Sequence, residues 1–350
     1  MLFTPRRILV VRTDRLGDVV LATPLIRALR QTFPHAFLAA MVRPYARDIL
    51  LHNPHLNAIL VDDYEGADRG RRGFFRQVKK LWSYRFDTAL LLLPTERAAW
   101  MLFFAGIPRR VSVGYKFYGV ITGMRGVSRH KYIPLRHEAD YSLDLGRKIG
   151  VRSDDLSTEV FLTGEERKDG RRVLREAGVH DSDILIGIHP GSGGSTANWE
   201  PKRYAMLAAL LLEKTSEDVR LVITGEEQEV AFPSSNRLLD LRGKRPLRSV
   251  MSVLSHLDVF FSSSTGPMHI AAALRVPTVS IFCPLPASSP TLWGPQGNDA
   301  RIILPPEGYC QGRCPGIPKI CRLEEITIEK AAETLLTTIA DARHSGAIAS

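Results

Sequence analysis

Residues 183–199 read DILIGIHPGSGGSTANW. The opening DILIGIH is an almost unbroken apolar run, typical of a strand buried on both faces of a parallel sheet. Glycine, serine and threonine follow it, and a helical pattern resumes at about residues 201–213. A small-residue loop that leads into a helix N-terminus presents free N–H groups, which bind phosphate. This stretch therefore predicts a Rossmann-like α/β unit with an anion site at a strand end.

The loop itself supplies the candidate ligands of that anion, namely Ser192, Gly193, Ser195 and Thr196. Its spacing matches neither G-x-x-x-x-G-K-[ST] nor G-x-G-x-x-G, which argues against ATP hydrolysis and against the usual dinucleotide-binding fold. A flexible Gly/Ser loop without a ligand is the alternative interpretation.

Outward from this stretch, short apolar runs alternate with amphipathic segments, as in parallel sheets flanked by helices. Strands are predicted at RRILVVR, AFLAAMV, AILV, DTALLLL and RRVSV, then at DILIGIH, VRLVITG, LLDL, DVFFSS and PTVSIF. At 350 residues the chain exceeds what one hydrophobic core usually supports. We therefore expect an α/β protein with two Rossmann-like, doubly wound domains that face a central cleft.

Residues 1–160 form the predicted N-terminal domain, and residues 161–325 form the predicted C-terminal domain. The second domain opens with TGEE at residues 163–166, a capping-box pattern that predicts a helix to about Gly178. The final segment, residues 326–350, contains an amphipathic helix at about residues 327–343. We expect this helix to pack back on the N-terminal domain.

A second small-residue segment, SSSTGPMHIAAAL, spans residues 262–274 after the strand DVFFSS. Proline in a first helical turn, with serine and threonine ahead of it, is a helix start signal. Two helix N-termini that converge on one ligand suit a diphosphate better than a single phosphate. His269 lies within this helix, and a purely structural histidine is the alternative to a role in binding.

The segment TGEEQE, residues 224–229, follows the strand VRLVITG. An acidic side chain at this edge is suited to accept hydrogen bonds from a ribose diol, as acids do at comparable sites. A solvent-exposed, acidic helix start is the alternative.

The first strand leads into TDRLGDVVLATP, residues 13–24. Gly17 permits a tight strand-to-helix turn and the close approach of a ligand, and apolar spacing predicts a helix between Asp18 and Phe33. A carboxylate at the carboxyl end of a strand is well placed to act as a general base. Asp18 is the candidate base and Asp14 is the competing candidate. The structural alternative for Asp18 is a helix N-cap.

Charge is unequally divided along the chain. Residues 1–150 carry 25 Lys and Arg against 12 Asp and Glu, whereas the remaining residues carry 22 against 25. A basic half attracts phosphates, nucleic acid or an anionic membrane surface, and a solvated surface is the alternative. No nucleic-acid-binding motif accompanies the charge, so nucleic acid is not an expected partner. The run GADRGRRGFFRQVKKLW, residues 66–82, is either a membrane-contacting segment or an ordinary solvated helix.

No apolar stretch approaches the roughly 18 residues that a membrane span needs, and MLFTPRRILVVR resembles a buried strand, not a signal peptide. We expect a cytoplasmic protein, with peripheral contact with an anionic inner membrane surface. Cys310, Cys314 and Cys321 form a C-x3-C-x6-C run without standard zinc spacing. Structural thiols are favoured over a metal site, and neither a metal nor a cofactor is expected.

Together these segments resemble glycosyltransferase family 9, the ADP-heptose–lipopolysaccharide heptosyltransferases. The resemblance rests on RTDRLGDVVLATPLIRALRQTFP, HPGSGG…NW, TGEEQE, STGPMHIAAAL, WGP and the three-cysteine tail, in this order. It implies a GT-B architecture, with acceptor binding by residues 1–160 and nucleotide-sugar donor binding by residues 161–325. It also implies a metal-independent, inverting transfer of heptose from ADP-heptose. The expected acceptor is a phosphorylated glycolipid of the lipopolysaccharide inner core. The nucleotide sugar is a substrate and not a cofactor.

The resemblance also implies roles for individual residues. Asp18 matches the catalytic base, and Glu227 matches the acid that binds the ribose. The expected acceptor contacts are Asp14, Gly17 and Thr23. The expected donor contacts are Ser192, Gly193, Ser195, Thr196, Glu227, Ser264, Thr265, Gly266 and His269.

Two positions depart from the family pattern. Members often carry a lysine two residues before the loop tryptophan, where this chain has Ala197, and an aspartate before Thr-Gly, where it has Ser264. A cation that neutralises the leaving diphosphate must then come from elsewhere, and Lys202 and Arg203 are the candidates. Two other functions stay open: a nucleotide-sugar epimerase on the same scaffold, and a catalytically weak nucleotide-sugar-binding module.

Overall fold

The computed structural model describes residues 4–194, 196–226, 230–243, 245–310, 314, 316–317 and 320–344. The chain divides into two compact units, Met1–Phe161 and Leu162–Ser350. This division falls one residue from the boundary that the sequence predicts. Each unit is built around one six-stranded sheet.

The first unit has strands β1 (Arg7–Val11), β2 (Phe37–Val42), β3 (Ala58–Val61), β4 (Thr88–Leu91), β5 (Arg109–Val113) and β6 (Arg125–Val127). Its helices are α1 (Leu16–Val20), α2 (Thr23–Thr32), α3 (Arg47–Leu50), α4 (Gly70–Tyr84), α5 (Glu96–Phe104), α6 (Phe117–Ile121) and α7 (Glu138–Arg147). Short 3-10 turns lie at Pro44–Ala46 and His130–Tyr132.

All strands of this sheet are parallel, in the order β3-β2-β1-β4-β5-β6. From β1 the chain moves outward to β2 and β3, and from β4 it moves the opposite way, so the strand order reverses between β1 and β4. Ligands of open α/β sheets bind beyond the carboxyl ends of the strands at such a reversal. The residues that follow β1, beginning with Arg12, therefore occupy the favoured position for a site.

The second unit has strands β7 (Ile184–His189), β8 (Val219–Ile223), β9 (Leu238–Asp240), β10 (Val259–Ser263), β11 (Thr278–Ile281) and β12 (Ala300–Ile303). Its helices are α8 (Gly164–Glu176), α9 (Pro201–Lys214), α10 (Leu247–Leu254), α11 (Gly266–Ala273), α12 (Pro290–Trp293) and α13 (Ile328–His344), with a 3-10 turn at Pro286–Ser288.

This sheet is also parallel, in the order β12-β11-β10-β7-β8-β9. Its strand order reverses between β7 and β10, where Ser262 pairs in register with His189. The HPGSGG loop after β7 and the STGP segment after β10 therefore leave the same edge of the sheet side by side. The two small-residue segments singled out in the sequence thus flank the reversal point.

All ten predicted strands are present, and each sheet has a sixth strand that the sequence analysis missed. The missed strands β6 and β12 lie at the sheet edges. Their sequences, RGV and ARII, are short, and most of their residues are only partly buried. An edge strand buries one side less, so it lacks the continuous apolar run that marks a central parallel strand.

The helix predicted between Asp18 and Phe33 is interrupted. Helix α1 ends at Val20 and α2 begins at Thr23. Pro24 explains the break, because it has no N–H to donate to the carbonyl four residues earlier and its ring clashes with that turn.

The capping box that opens α8 is confirmed. Thr163 Oγ1 accepts from the Glu166 N–H at 3.1 Å, and a Glu166 carboxylate oxygen accepts from the Thr163 N–H at 2.8 Å.

The prediction that the last helix packs back on the N-terminal domain requires correction. Helix α13 packs against α9 and strands β10, β11 and β12, because its apolar side chains Ala331, Leu335 and Ile339 belong to the core of the second unit.

Candidate functional site

A buried arginine organises the carboxyl edge of the first sheet. Arg12 follows β1 directly, and its side chain is only 5% exposed. Its Nε lies 2.9 Å from Asp14, its Nη2 donates to Asp18 at 2.7 Å, and its Nη1 donates to Glu138 at 3.1 Å. One guanidinium thus ties together the loop after β1, the first turn of α1 and the start of α7.

A second arginine supports this network from the other side of Glu138. Arg129 donates to both carboxylate oxygens of Glu138, at 2.7 and 2.9 Å. Burial lowers the pKa of Arg12, but the negative charges of Asp14, Asp18 and Glu138 together raise it by more, so the net shift of the pKa is upward. The guanidinium therefore stays charged; Nη2 and Nη1 hold Asp18 and Glu138 by hydrogen bonds, and Nε makes an ion contact with Asp14.

Asp14 and Asp18 occupy different environments beside Arg12. Burial raises the pKa of Asp14 to about 7, against the lowering effect of Arg12. Its backbone carbonyl accepts from the Tyr45 hydroxyl at 2.6 Å. Asp18 lies in the first turn of α1, whose N-cap is Arg15. The N-cap interpretation of Asp18 is therefore not the one that the structure adopts; Asp18 is instead an ion-pair partner of Arg12.

Two predicted acceptor contacts are buried. Gly17 is buried within α1 in helical conformation, so no unusual backbone angle explains its identity. Thr23 has no exposed surface; its hydroxyl donates to the Val20 carbonyl at 2.7 Å and accepts from the Glu159 N–H at 3.0 Å. We therefore correct the assignment of Thr23, because a fully buried hydroxyl with both bonds satisfied cannot contact an acceptor.

The loop after β7 lines a cavity of about 240 Å³ that is open to solvent. Gly193 and Gly194 have φ angles of +53° and +65°, a region in which side chains other than glycine are strained. Glycine at both positions lets the loop turn back and expose its backbone around the cavity. The cavity is lined by Pro190, Gly191, Ser192, Gly193, Gly194, Thr196, Asn198, Trp199, Pro201 and Arg322.

The cavity meets the start of a helix, as the sequence predicts. Pro201 is both a lining residue and the first residue of α9. The N-terminal N–H groups of a helix have no partners within it, and the aligned peptide dipoles favour an anion there. The residues and the helix end thus form a cradle suited to phosphate. Ser195 and Glu227, two further predicted donor contacts, lie outside the described residues.

Ala197 is buried in the core of the second unit, 1% exposed, together with Trp199. Its side chain therefore packs inward. A lysine side chain at this position would have to extend out of a tightly packed interior to reach the cavity. The loop is also locked in place by Asn198, whose amide donates to the Pro190 carbonyl at 2.9 Å and accepts from the Tyr204 hydroxyl at 2.6 Å. Packing accounts for the small residue at this position.

Arg322 is the cation that lines the cavity, and the sequence analysis missed it. Two hydrogen bonds place it: the Asn198 N–H donates to the Cys321 carbonyl at 3.2 Å, and the Trp199 indole N–H donates to the Leu323 carbonyl at 3.2 Å. These bonds hold the residues on both sides of Arg322 against the loop. Since the segments are more than 120 residues apart in sequence, no local pattern could have revealed the pairing.

The two cations proposed from the sequence have other partners. Lys202 forms an exposed ion pair with Glu200 at 2.9 Å. Arg203 donates to the carbonyls of Glu324 and Ile326, each at 2.9 Å, and stacks over the Trp199 ring. We therefore correct their assignment, because neither lines the cavity and Arg203 is engaged in holding the C-terminal segment.

The second helix N-terminus lies after β10. Thr265 is the N-cap of α11, and its hydroxyl accepts from the Met268 N–H at 3.4 Å. Ser264 precedes it, partly exposed, and Gly266 begins the helix. His269 is buried within α11, 4% exposed. Thr265 thus shapes the helix end, Ser264 and Gly266 remain accessible there, and His269 lies behind it.

His189 and Thr224 join the ends of two neighbouring strands. His189 Nδ1 lies 3.1 Å from the Thr224 hydroxyl. Burial lowers the pKa of His189 to about 4, so the ring is neutral at neutral pH. The pair fixes the edge of the sheet from which the HPGSGG loop departs.

The cysteines are free thiols: Cys283, Cys310, Cys314 and Cys321. Among the described residues, no group of three or more His, Cys, Asp or Glu side chains has a geometry that could hold a metal ion. Within that same part of the chain, no helix combines the length and apolarity of a membrane span.

Comparison with known proteins identifies the family. A family model for glycosyltransferase family 9 (heptosyltransferase) matches residues 74–314. The chain belongs to glycosyltransferase family 9. The protein is accordingly a glycosyltransferase of the heptosyltransferase family.

Relatives within family 9 match almost the whole chain. Lipopolysaccharide heptosyltransferase 2 of Escherichia coli K12 is 26% identical over 324 residues, 87% of this chain and 89% of the relative. A family 9 glycosyl transferase from Veillonella parvula superposes with a TM-score of 0.81 at 21% identity, over 97% of this chain and 99% of that one. The structure of E. coli ADP-heptose LPS heptosyltransferase II gives a TM-score of 0.74 at 22% identity, over 96% and 99%. The predicted GT-B fold class is confirmed.

The raised pKa of Asp14 predicts a pH dependence of stability. Its pKa rises from 3.8 to about 7 on folding, so between these values the folded state binds more protons than the unfolded state. Stability then falls as pH rises, by at most about 1.4 kcal/mol per pH unit from this group. Asp14→Asn should remove this component. The urea midpoint of the variant should therefore rise relative to that of the wild type as the pH increases from about 5 to about 7.

The exposed substitution Asp341→Asn serves as the control and should retain the wild-type pH dependence. Parallel pH profiles for wild type and Asp14→Asn would contradict the assignment of a raised pKa to Asp14.

Proposed function

We propose that this glycosyltransferase transfers a heptose from ADP-heptose to a phosphorylated glycolipid acceptor of the lipopolysaccharide inner core. The observation that carries the proposal is the cavity after β7, where glycine-rich backbone, the N-terminus of α9 and Arg322 surround one space. A diphosphate is the ligand whose charge and shape suit this set of donors. The names of the relatives support heptose as the sugar.

The donor diphosphate is held by groups of the second unit. Ser192, Gly193 and Thr196 contribute from the loop, and Ser264 and Gly266 contribute from the start of α11 on the neighbouring strand. Glu227 binds the ribose and Ser195 binds the diphosphate in this proposal, as the family resemblance implies. Thr265 and His269 act as supporting residues, because the first caps α11 and the second is buried within it.

The reaction breaks the bond between the anomeric carbon and the ADP oxygen, and the electron pair leaves with the diphosphate. Backbone N–H groups of the loop and the cation that lines the cavity stabilise this developing charge. Arg322 supplies the cation in place of the lysine that the family pattern has at the position of Ala197. The proposed reaction uses no metal ion.

The first unit supplies the base. Asp18 accepts the proton of the acceptor hydroxyl, whose oxygen then attacks the anomeric carbon from the face opposite the leaving ADP, with inversion. Arg12 holds Asp18 Oδ1 at 2.7 Å, which orients the carboxylate for this transfer. Asp14, with a pKa near 7, is the competing base, and its place next to Asp18 makes it the essential comparison.

Asp18→Asn should lower kcat by about 10²–10⁴-fold, because the amide cannot accept the proton. The measurement is ADP release from ADP-heptose in the presence of deacylated lipopolysaccharide core, together with ADP affinity by calorimetry. ADP affinity should stay unchanged, since the donor site belongs to the other unit.

Asp14→Asn is the matched variant, and it should retain most of the wild-type kcat. The reverse pattern, with Asp14→Asn inactive and Asp18→Asn active, would assign the base to Asp14. A change of the donor in the absence of acceptor would indicate an epimerase, and ADP binding without any turnover would indicate a binding module.

Arg322→Gln should lower kcat by about 10²-fold, because removing one donor to a charged leaving group has effects of this size. The same ADP-release assay measures it. Lys202→Gln is the control, since Lys202 is exposed and paired with Glu200, and it should behave as wild type. Equal activity of the two variants would remove Arg322 from the reaction.

A further inference from the structure

Tyr45 lies at the same edge of the first sheet as the proposed base. Strands β1 and β2 are parallel, with Val11 opposite Met41, so the residues that follow the two strands leave the sheet side by side. Tyr45 belongs to the 3-10 turn at Pro44–Ala46, which follows β2 and packs against α1. Helix α1 carries Asp18 in its first turn. The fold therefore places Tyr45 in the surroundings of the proposed base.

Two interactions hold the Tyr45 ring in place. Its hydroxyl donates to the Asp14 carbonyl at 2.6 Å, and the guanidinium carbon of Arg43 lies over the ring, 5.1 Å from its centroid. Arg43 is fixed in turn by the Tyr64 ring, whose centroid lies 4.8 Å away, and by an ion pair with Glu65. A side chain that its neighbours already orient loses little rotamer freedom when it binds a ligand. Tyr45 thus offers a ring whose orientation is set before a ligand arrives.

Part of Tyr45 remains open to solvent. The residue is 44% exposed, and the side chain of Asp18 is 16% exposed. Burial raises the pKa of the Tyr45 hydroxyl; the charge of Arg43 opposes this shift, and the charges of Asp14 and Asp18 add to it. The two carboxylates are therefore near enough to act on the phenol by charge. The accessible part of the ring and the proposed base lie next to each other.

The position of the ring suits one kind of ligand. A pyranose has a face of C–H groups bordered by hydroxyls, and the C–H face packs on an aromatic ring because this contact removes apolar surface from water. An acceptor sugar must at the same time bring one hydroxyl to Asp18. An aromatic side chain beside a carboxylate serves both needs, since the ring holds the sugar and the carboxylate takes the proton.

We propose that Tyr45 binds the acceptor, with its ring stacked against the C–H face of the sugar whose hydroxyl Asp18 deprotonates. The inference rests on the proposed function and deepens it, because it names the contact that holds the acceptor sugar. The donor also carries a sugar ring, so the experiment measures the affinities for acceptor and donor separately.

Calorimetric titration with deacylated lipopolysaccharide core tests this contact in the full-length protein with ADP bound. Tyr45→Ala should weaken the affinity for the core saccharide about tenfold, because it removes the ring. Tyr45→Phe should weaken it only about twofold, because it keeps the ring and removes the hydrogen bond to Asp14. The affinity of Tyr45→Ala for ADP-heptose should equal that of the wild type.

Trp82→Ala is the matched control. Trp82 is 66% exposed near the end of α4, and the chain enters β4 soon after it, so Trp82 lies at the opposite, amino edge of the sheet. This variant should bind the saccharide as the wild type does, and circular dichroism confirms that each variant is folded.

A wild-type affinity of Tyr45→Ala for the saccharide would overturn the proposal. Equal losses in Tyr45→Ala and Tyr45→Phe would overturn it as well, because they would assign the effect to the hydrogen bond and not to the ring. A loss of affinity for ADP-heptose alone would assign the ring to the donor sugar and would also contradict the proposal. Saccharide binding by the wild type without ADP release from ADP-heptose would contradict the proposed transfer instead, and the comparison of the variants would still decide the role of Tyr45.

Discussion

Arg12 is a buried cation that three carboxylates share, and the first unit is arranged around this constraint. Burying a charged guanidinium is costly unless nearby opposite charges compensate it. Asp14, Asp18 and Glu138 come from the loop after β1, from α1 and from α7, so the ion pairs join three separate segments at the carboxyl edge of the sheet. The same contacts that make the burial tolerable also fix the position of the proposed base.

In the second unit, hydrogen bonds to backbone carbonyls place the positive charge. Ala197, in the loop after β7, faces inward, because that part of the loop is packed in the core. Hydrogen bonds from Asn198 and Trp199 bring the segment around Arg322 to the loop instead. The positive charge at the cavity therefore comes from a distant part of the chain, and the fold places it there.

The sequence predicted the central strands and both small-residue loops, because buried parallel strands are continuous apolar runs and glycine-rich turns have a distinctive composition. The edge strands β6 and β12 were missed since half-buried strands lack that signal. Local pattern also could not show that Thr23 is fully buried or that Arg203 bonds to carbonyls beyond residue 322. The placement of Arg322 and the ion pair between Arg12 and Glu138 depend on contacts between segments far apart in sequence, which only the folded structure supplies.

The central claim is that Arg12 acts through Asp18, and a double-mutant cycle in kcat tests it most directly. Arg12→Lys should lower kcat about tenfold in the wild-type background, because lysine cannot hold all three carboxylates in the same geometry. In the Asp18→Asn background the same substitution should have almost no further effect, since the residue that it positions is already lost. An equal loss of kcat in both backgrounds, with folding and ADP affinity intact, would contradict the account.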